Sequence, residues 1–237
     1  MDWKDWEATY AWIAKQLNLD PAADRRATGR LTELLKEVEP RPLLEQLRSV
    51  IHGNRVVVCG AGPSLERHVR ELTQERTIAH AKFVAADGAV SLLLEEGVPC
   101  DVLVTDLDGT PRDLKESAEA GALVIVHGHG DNMEAMENRV PELGEVLGST
   151  QVEPTDRAFL WGGFTDGDRA CHIVWDYNPE EVILAGMDLG SVVGRWSKPD
   201  HEDHFLASKR KQEKLEIANH LLKQLFGRSP VKYRYLT

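Results

Sequence analysis

From residue 55 onward, short apolar runs alternate with stretches of helical periodicity, and this alternation restricts the fold more than any other feature of the chain. The runs are "RVVVCG", "KFVAAD", "DVLVTD", "ALVIVHG" and "EVILAG". Each is continuously apolar, as strands buried on both faces must be. Between them, Leu65, Val69 and Leu72, then Val90, Leu93 and Leu94, recur at helical spacing. Strands alternating with helices predict an α/β fold: a mostly parallel sheet with flanking helices. The tail "FLASKRKQEKLEIANHLLKQLF" reads as a long amphipathic helix and "VKYRYL" as a last strand.

Residues 1–50 read as a small helical region ahead of an α/β domain at 51–237. Trp3, Trp6, Tyr10, Ile13 and Leu17 form one helical stripe. Leu31, Leu34, Leu35 and Val38 form a second, ended by "EPRP", and Leu43, Leu44, Leu47 and Ile51 form a third. Such stripes are packing surface, against the core or against a second subunit in a homo-oligomer. The net charge of −11 argues against a broad nucleic-acid-binding face. It leaves room for a small anionic substrate neutralised by a metal or a helix terminus. Cys59, Cys100 and Cys171 are far apart, which fits a reducing cytoplasm rather than a disulfide scaffold. The opening "MDWKDWEATYAW" is acidic and aromatic, unlike a signal peptide, and no apolar run approaches the roughly 20 residues of a membrane span.

In an open parallel sheet the carboxyl ends of the strands bind ligands. Here the first strand runs into "CGAGPSL", where Gly60 and Gly62 permit a tight turn, Pro63 suits a first helical turn and Ser64 a cap. That is a phosphate seat of a common kind. The next ends carry Asp87, then Asp106 and Asp108, then His127, His129, Asp131 and Asn132, then Asp188. Taken singly these are ordinary turn and cap residues. Their presence at five successive strand ends is better explained by chemistry. An Asp-x-Asp pair presents carboxylates to one hard cation, typically magnesium carrying a nucleotide.

Three readings account for the acids. A dinucleotide dehydrogenase would use the glycine turn and place Asp87 on a ribose, but Leu65 stands where the fingerprint's third glycine belongs and the Asp-x-Asp pair goes unexplained. "TDLDGT" resembles the haloacid-dehalogenase-type phosphatases, in which Asp106 would be the nucleophile. In that family the Asp-x-Asp strand opens the core domain, whereas two strands precede it here. The third reading, nucleotide-dependent transfer of a phosphoryl or diphosphoryl group, uses more of the loops.

"AADGA", "PCDVLVTDLDG" and "GGFTDGDRA" in this order, with 19 residues from Asp87 to Asp106, resemble the thiamin pyrophosphokinase superfamily. Thr105 and Gly109 depart from the glycine and serine of the thiamin enzymes' acidic pair. With "GAGPSL" and "HGHGDN" added, the chain from about 50 to 237 is more specifically similar to the archaeal 6-hydroxymethyl-7,8-dihydropterin diphosphokinase family. That resemblance implies a Rossmann-like sheet with a thiamin-pyrophosphokinase-like catalytic core. It implies magnesium-dependent transfer of diphosphate from ATP to the hydroxymethyl group of the pterin, with release of AMP, in tetrahydromethanopterin or folate-type pterin biosynthesis. ATP and the hydroxymethylpterin are the implied partners, in the cytoplasm, with no nucleic acid or membrane.

By the same resemblance Asp106, Asp108 and Asp87 are catalytic and hold the metal. Gly60, Gly62, Pro63, Ser64, His127, His129, Asn132, Thr165 and Asp166 contact nucleotide, phosphate or metal, and Asp166 is equally suited to a helix cap. For the acceptor, Asp188, Phe164, Trp161 and Trp196 are candidates, because a pterin needs an aromatic face and a carboxylate for its amino-pyrimidine edge. "VVGRWSKPDHEDH" at 192–204 reads as a lid or a surface loop, with Arg195 and Lys198 placed to grip phosphates. A thiamin-type enzyme with another acceptor, a phosphatase and a non-catalytic nucleotide-sensing module remain alternatives at this level.

Overall fold

The computed structural model describes residues 1–74, 80–228 and 231–236. Three helices come first: α1 (Trp3–Leu17), α2 (Pro21–Leu34) and α3 (Pro40–Ile51). Asp2, Asp20 and Glu39 cap them, each side chain accepting from the N–H two residues on. Pro21 and Pro40 take the first helical position, where a missing N–H costs nothing. "EPRP" therefore ends one helical stripe and also starts the next helix.

The sheet is built from β1 (Arg55–Cys59), β2 (Lys82–Ala86), β3 (Val102–Thr105), β4 (Leu123–His127), β5 (Leu147–Ser149), β6 (Ala158–Phe159), β7 (Glu181–Ala185) and β10 (Lys232–Tyr235). Its order is β10-β7-β1-β2-β3-β4-β5-β6, and all seven pairings are parallel. Between the strands run α4 (Leu65–Gln74), α5 (Ala89–Glu95), α6 (Pro111–Glu119), α7 (Met133–Arg139) and α8 (Asp166–Asp176), and α9 (Lys209–Arg228) precedes β10. β5 and β6 are three and two residues long, too short to stand out as apolar runs. β8 (Val192–Val193) and β9 (Phe205–Leu206) form a separate antiparallel pair that closes the base of the 192–204 loop.

Alternate strand residues face opposite layers. Val57, Cys59, Ala85, Leu103 and Val124 pack with Leu31, Leu65, Val69 and Leu93 from α2, α4 and α5. Val56, Val58, Val84, Val102 and Ile125 pack with Leu47, Ile173 and Leu222 from α3, α8 and α9. The α1 stripe, Trp6, Tyr10, Ile13 and Leu17, packs against Ile217 and Leu221 of α9. α2 and α3 are thus part of the sheet's own cover, and α2 and α9 both line the cleft at its carboxyl edge. No described helix is long and apolar enough to cross a membrane.

Candidate active site

A cleft of ≈ 430 Å³ runs along the carboxyl edge of the sheet. Its centre is acidic. Asp87, Asp106 and Asp166 each offer a carboxylate oxygen, and the three oxygens lie within 4.8 Å of one another. Asp87 directly follows β2, Asp106 directly follows β3, and Asp166 opens α8, so three elements converge there.

The backbone explains which acids meet. Leu107 adopts φ 71° and is almost wholly buried, so the chain reverses between Asp106 and Asp108. A left-handed leucine costs about 1–2 kcal/mol, which its buried side chain and two polar contacts offset. Its N–H donates to Thr105 Oγ1 at 2.8 Å, and its carbonyl accepts from Arg139. Asp87 is left-handed too, at φ 45°. Its Oδ1 accepts from Thr105 Oγ1 at 2.5 Å and from the Gly109 N–H at 3.1 Å. Asp108 lines the same cleft. Its carboxylate pairs with Lys198 of the 192–204 loop and is not one of the three converging acids. Of the expected Asp106, Asp108 and Asp87, the fold brings Asp87 and Asp106 together with Asp166, and Asp108 lines the cleft beside them. Asp166 also does not cap α8. Thr165 is the cap, and Asp168 closes a capping box by accepting from the Thr165 and Phe164 N–H groups.

The acids titrate as a crowded set. Burial, then the charge of Asp106, pushes Asp87 up to about 7. Burial, then Asp106 and Asp87, raises Asp166 well above the ordinary carboxylate range. Burial opposes ionisation of Asp106 as well, but His129, the Asp108 N–H and Lys198 outweigh it and leave that carboxyl below its ordinary value. Three hard oxygen donors, two of them resisting ionisation beside the third, fit one divalent cation.

The histidine end is ordered by Asn132. Its side-chain amide donates to the carbonyls of Asp106 (2.8 Å) and His127 (2.7 Å), and its Oδ1 accepts from the His129 N–H (3.0 Å). Asn132 holds the loops rather than lining the cleft. His127 is held neutral by burial, with the charges of Arg169 and His129 adding to the effect. The two imidazoles stack at 5.9 Å, and His129 Nε2 lies 3.7 Å from Asp106 Oδ2.

At the opposite end the expected phosphate seat is filled from within. Ser64 donates its N–H and its hydroxyl to Asp188 Oδ2, at 3.2 and 2.9 Å. A Cβ on Gly62 would lie 2.1 Å from that same oxygen, and one on Gly60 would lie 2.5 Å from Met187 Sδ. The two glycines still line the cleft, but their missing side chains make room for the loop after β7. Pro63, Ser64 and Asp188 lie outside the cleft lining. Asp188 accepts both bonds from Ser64 and so caps the turn into α4. Trp161 is buried against Phe159 in the core beneath the sheet. Phe164 lines the cleft, as do Thr165 and Lys198. Trp196 and Arg195 do not; the Arg195 guanidinium lies over the Trp196 ring and pairs with Glu66 at 3.3 Å.

The family model described as 6-hydroxymethylpterin diphosphokinase MptE-like matches residues 29–194. The chain belongs to this family. It is similar to the 6-hydroxymethyl-7,8-dihydropterin pyrophosphokinase of Pyrococcus furiosus, with 42% identity over 95% of this chain and 94% of that protein. The proteins of the same name from Methanocaldococcus jannaschii and Methanothermobacter thermautotrophicus are 34% and 37% identical. Those matches cover 98% and 94% of this chain and 99% and 94% of the respective proteins.

Several lining residues of this family member lie outside the motifs. Asp24 of α2 is buried and accepts from the Gly130 N–H (2.8 Å), Tyr10 Oη (2.5 Å) and Gln151 Nε2 (2.8 Å). It fastens the N-terminal helices to the histidine loop. Lys211 and Lys214 enter from α9. Asp24 is one of two acids in a polar helix and stands in no recognisable motif. The lysines do leave a trace: "SKRKQEK" puts cations and no acid into a first helical turn, against the helix dipole.

Proposed function

We propose that this chain transfers the terminal diphosphoryl group of ATP to the hydroxymethyl oxygen of 6-hydroxymethyl-7,8-dihydropterin and releases AMP. The observation that carries the reading is the position of the acids. Sheet order puts the glycine turns after β7 and β1 on one side of Asp87 and Asp106, and the histidine loop after β4 on the other. Two substrates can therefore approach the acidic centre from opposite ends of one cleft, as an in-line displacement requires.

The acceptor oxygen attacks the β-phosphorus, and the bond from that phosphorus to the α,β-bridging oxygen breaks. AMP leaves with that oxygen, and the hydroxyl proton passes to water. Asp87, Asp106 and Asp166 would hold magnesium, which when bound offsets the charge of the phosphate oxygens. Asn132 and Thr105 keep two of these carboxylates in place through the loop and strand-end contacts described above. Lys198, anchored on Asp108, covers the glycine side, where Ala61, Ala86, Met187 and Val193 offer an apolar bed for the adenine. Phe164, the one Phe, Tyr or Trp lining the cleft among the described residues, offers a face to the pterin, with Lys214 6.0 Å from its ring centre. Chemistry that consumes ATP, in a chain with three free cysteines, belongs in the cytoplasm.

The test is product identification. Protein, ATP, magnesium and the hydroxymethylpterin should yield AMP and diphosphorylated pterin in equal amounts. Formation of ADP, or of free phosphate without the acceptor, would overturn the reading.

A further inference from the structure

Lys211 stands apart from the other cations of the cleft. Lys198 is paired with Asp108, and Arg210 donates to the Leu17 carbonyl at 3.0 Å. Lys214 lies over Phe164. Lys211 lines the same cavity, is partly buried, and among the described residues its ammonium has no hydrogen bond or ion pair, while its backbone N–H donates to Ser208 Oγ at 3.2 Å.

Burying a cation without a partner is unfavourable. So is placing it in the first turn of a helix, where the dipole is positive. The first turn of α9 carries basic residues and no acid, and Lys214 follows one turn later on the same face. Burial, then the nearby charge of Lys214, depresses the Lys211 ammonium, while the charges of Asp166 and Asp106 act in the opposite sense. Asp106 and Asp166 line the same cavity as Lys211, and among the described residues no ion pair joins either to it. An unpaired cation and a crowded cluster of carboxyl groups on the walls of one cavity are complementary to a polyanion bridged to a metal.

We propose that Lys211 is a catalytic residue that grips the diphosphoryl group in transit, with its ammonium on the phosphate oxygens that the acidic cluster's metal does not reach. The inference rests on the diphosphoryl-transfer reading and assigns a contact within it. Lys211 transfers no proton. It neutralises charge that grows on the bridging and terminal oxygens as the bond to AMP breaks.

The experiment uses the full chain and its Lys211→Met and Lys211→Arg variants. Binding of inorganic pyrophosphate is measured by calorimetry with and without magnesium, and steady-state rates are measured with both substrates. Lys211→Met should weaken pyrophosphate binding about tenfold and lower kcat about 100-fold, the scale of losing one charge-stabilising donor. KM for the pterin should stay unchanged, and Lys211→Arg should recover part of both losses. Should the Met variant fail to fold, Lys211→Gln carries the same comparison. A folded variant with wild-type pyrophosphate affinity and wild-type kcat overturns the proposal. If the unaltered chain forms no AMP, the transfer reading fails instead, and the pyrophosphate comparison still decides whether Lys211 holds a diphosphate.

Discussion

Thr105 Oγ1 donates a 2.5 Å hydrogen bond to Asp87 Oδ1 and accepts one from the Leu107 N–H at 2.8 Å. One buried hydroxyl thus joins two neighbouring strand ends and supports the reversal that separates Asp106 from Asp108. Valine has the same shape and lacks both functions. Thr105→Val should cost about 1–3 kcal/mol in urea unfolding, because a buried carboxylate and a buried N–H each lose a partner. It should also raise Asp87 further, since this bond lowers its pKa. An unchanged unfolding midpoint would contradict the bond's importance.

The acids predict how metal-free protein responds to pH. Asp87 is pushed from 3.8 up to about 7, and Asp166 moves in the same direction. The folded chain therefore holds these protons at pH values where the unfolded chain has released them. Their contribution to stability is complete below about pH 4 and is lost as pH rises through 7. Melting in EDTA and in magnesium should accordingly diverge with rising pH, because the cation binds the ionised cluster in the folded state. A gap between the two melting curves that does not vary from pH 4 to 8 would show that the acids share no cation.

Asp166 and Asp108 should separate in mutagenesis. Asp166→Asn removes a converging carboxylate and should lower kcat by about 100-fold or more. Asp108→Asn only frees Lys198, and an effect of about tenfold is expected for a supporting contact. Manganese affinity, read by electron paramagnetic resonance, should fall for Asp166→Asn and change little for Asp108→Asn. The reverse ranking would restore the adjacent Asp-x-Asp pair as the metal site.

The 192–204 loop is tested from beneath. A Cβ on Gly88 would lie 1.8 Å from the Trp196 carbonyl oxygen, so alanine there must displace the helical turn Arg195–Ser197 and with it Lys198. Gly88→Ala should lower kcat/KM for ATP by about 10- to 100-fold, since small displacements near reacting groups are costly. A folded Gly88→Ala enzyme with normal kcat/KM would mean that this loop takes no part in turnover.

Elements with a strong local pattern were open to reading in the chain alone. The apolar runs of β1, β2, β3, β4 and β7 are continuous because both faces are covered, and that continuity is a property of consecutive residues. The stripes of α1, α3 and α9 are local in the same way. β5 and β6 bury too few residues to show a period, yet they widen the sheet and bring Gln151 and Phe164 to the cleft.

The acids at the strand ends announced a site, because turn chemistry alone does not require so many of them. Which acids meet was decided elsewhere, by the left-handed backbone at Leu107, by the strand order that sets β2 beside β3, and by α8 delivering Asp166 from 60 residues beyond Asp106. Asp188 and Trp161 carry chemistry suited to an acceptor pocket, and the fold seats one at the α4 turn and the other in the core. Asp24 and Lys211 carried no motif and were brought to the cleft by the packing of α2 and α9. Periodicity and turn chemistry are encoded among near neighbours, whereas a site is assembled from residues far apart in the chain, and only the closed fold sets their distances.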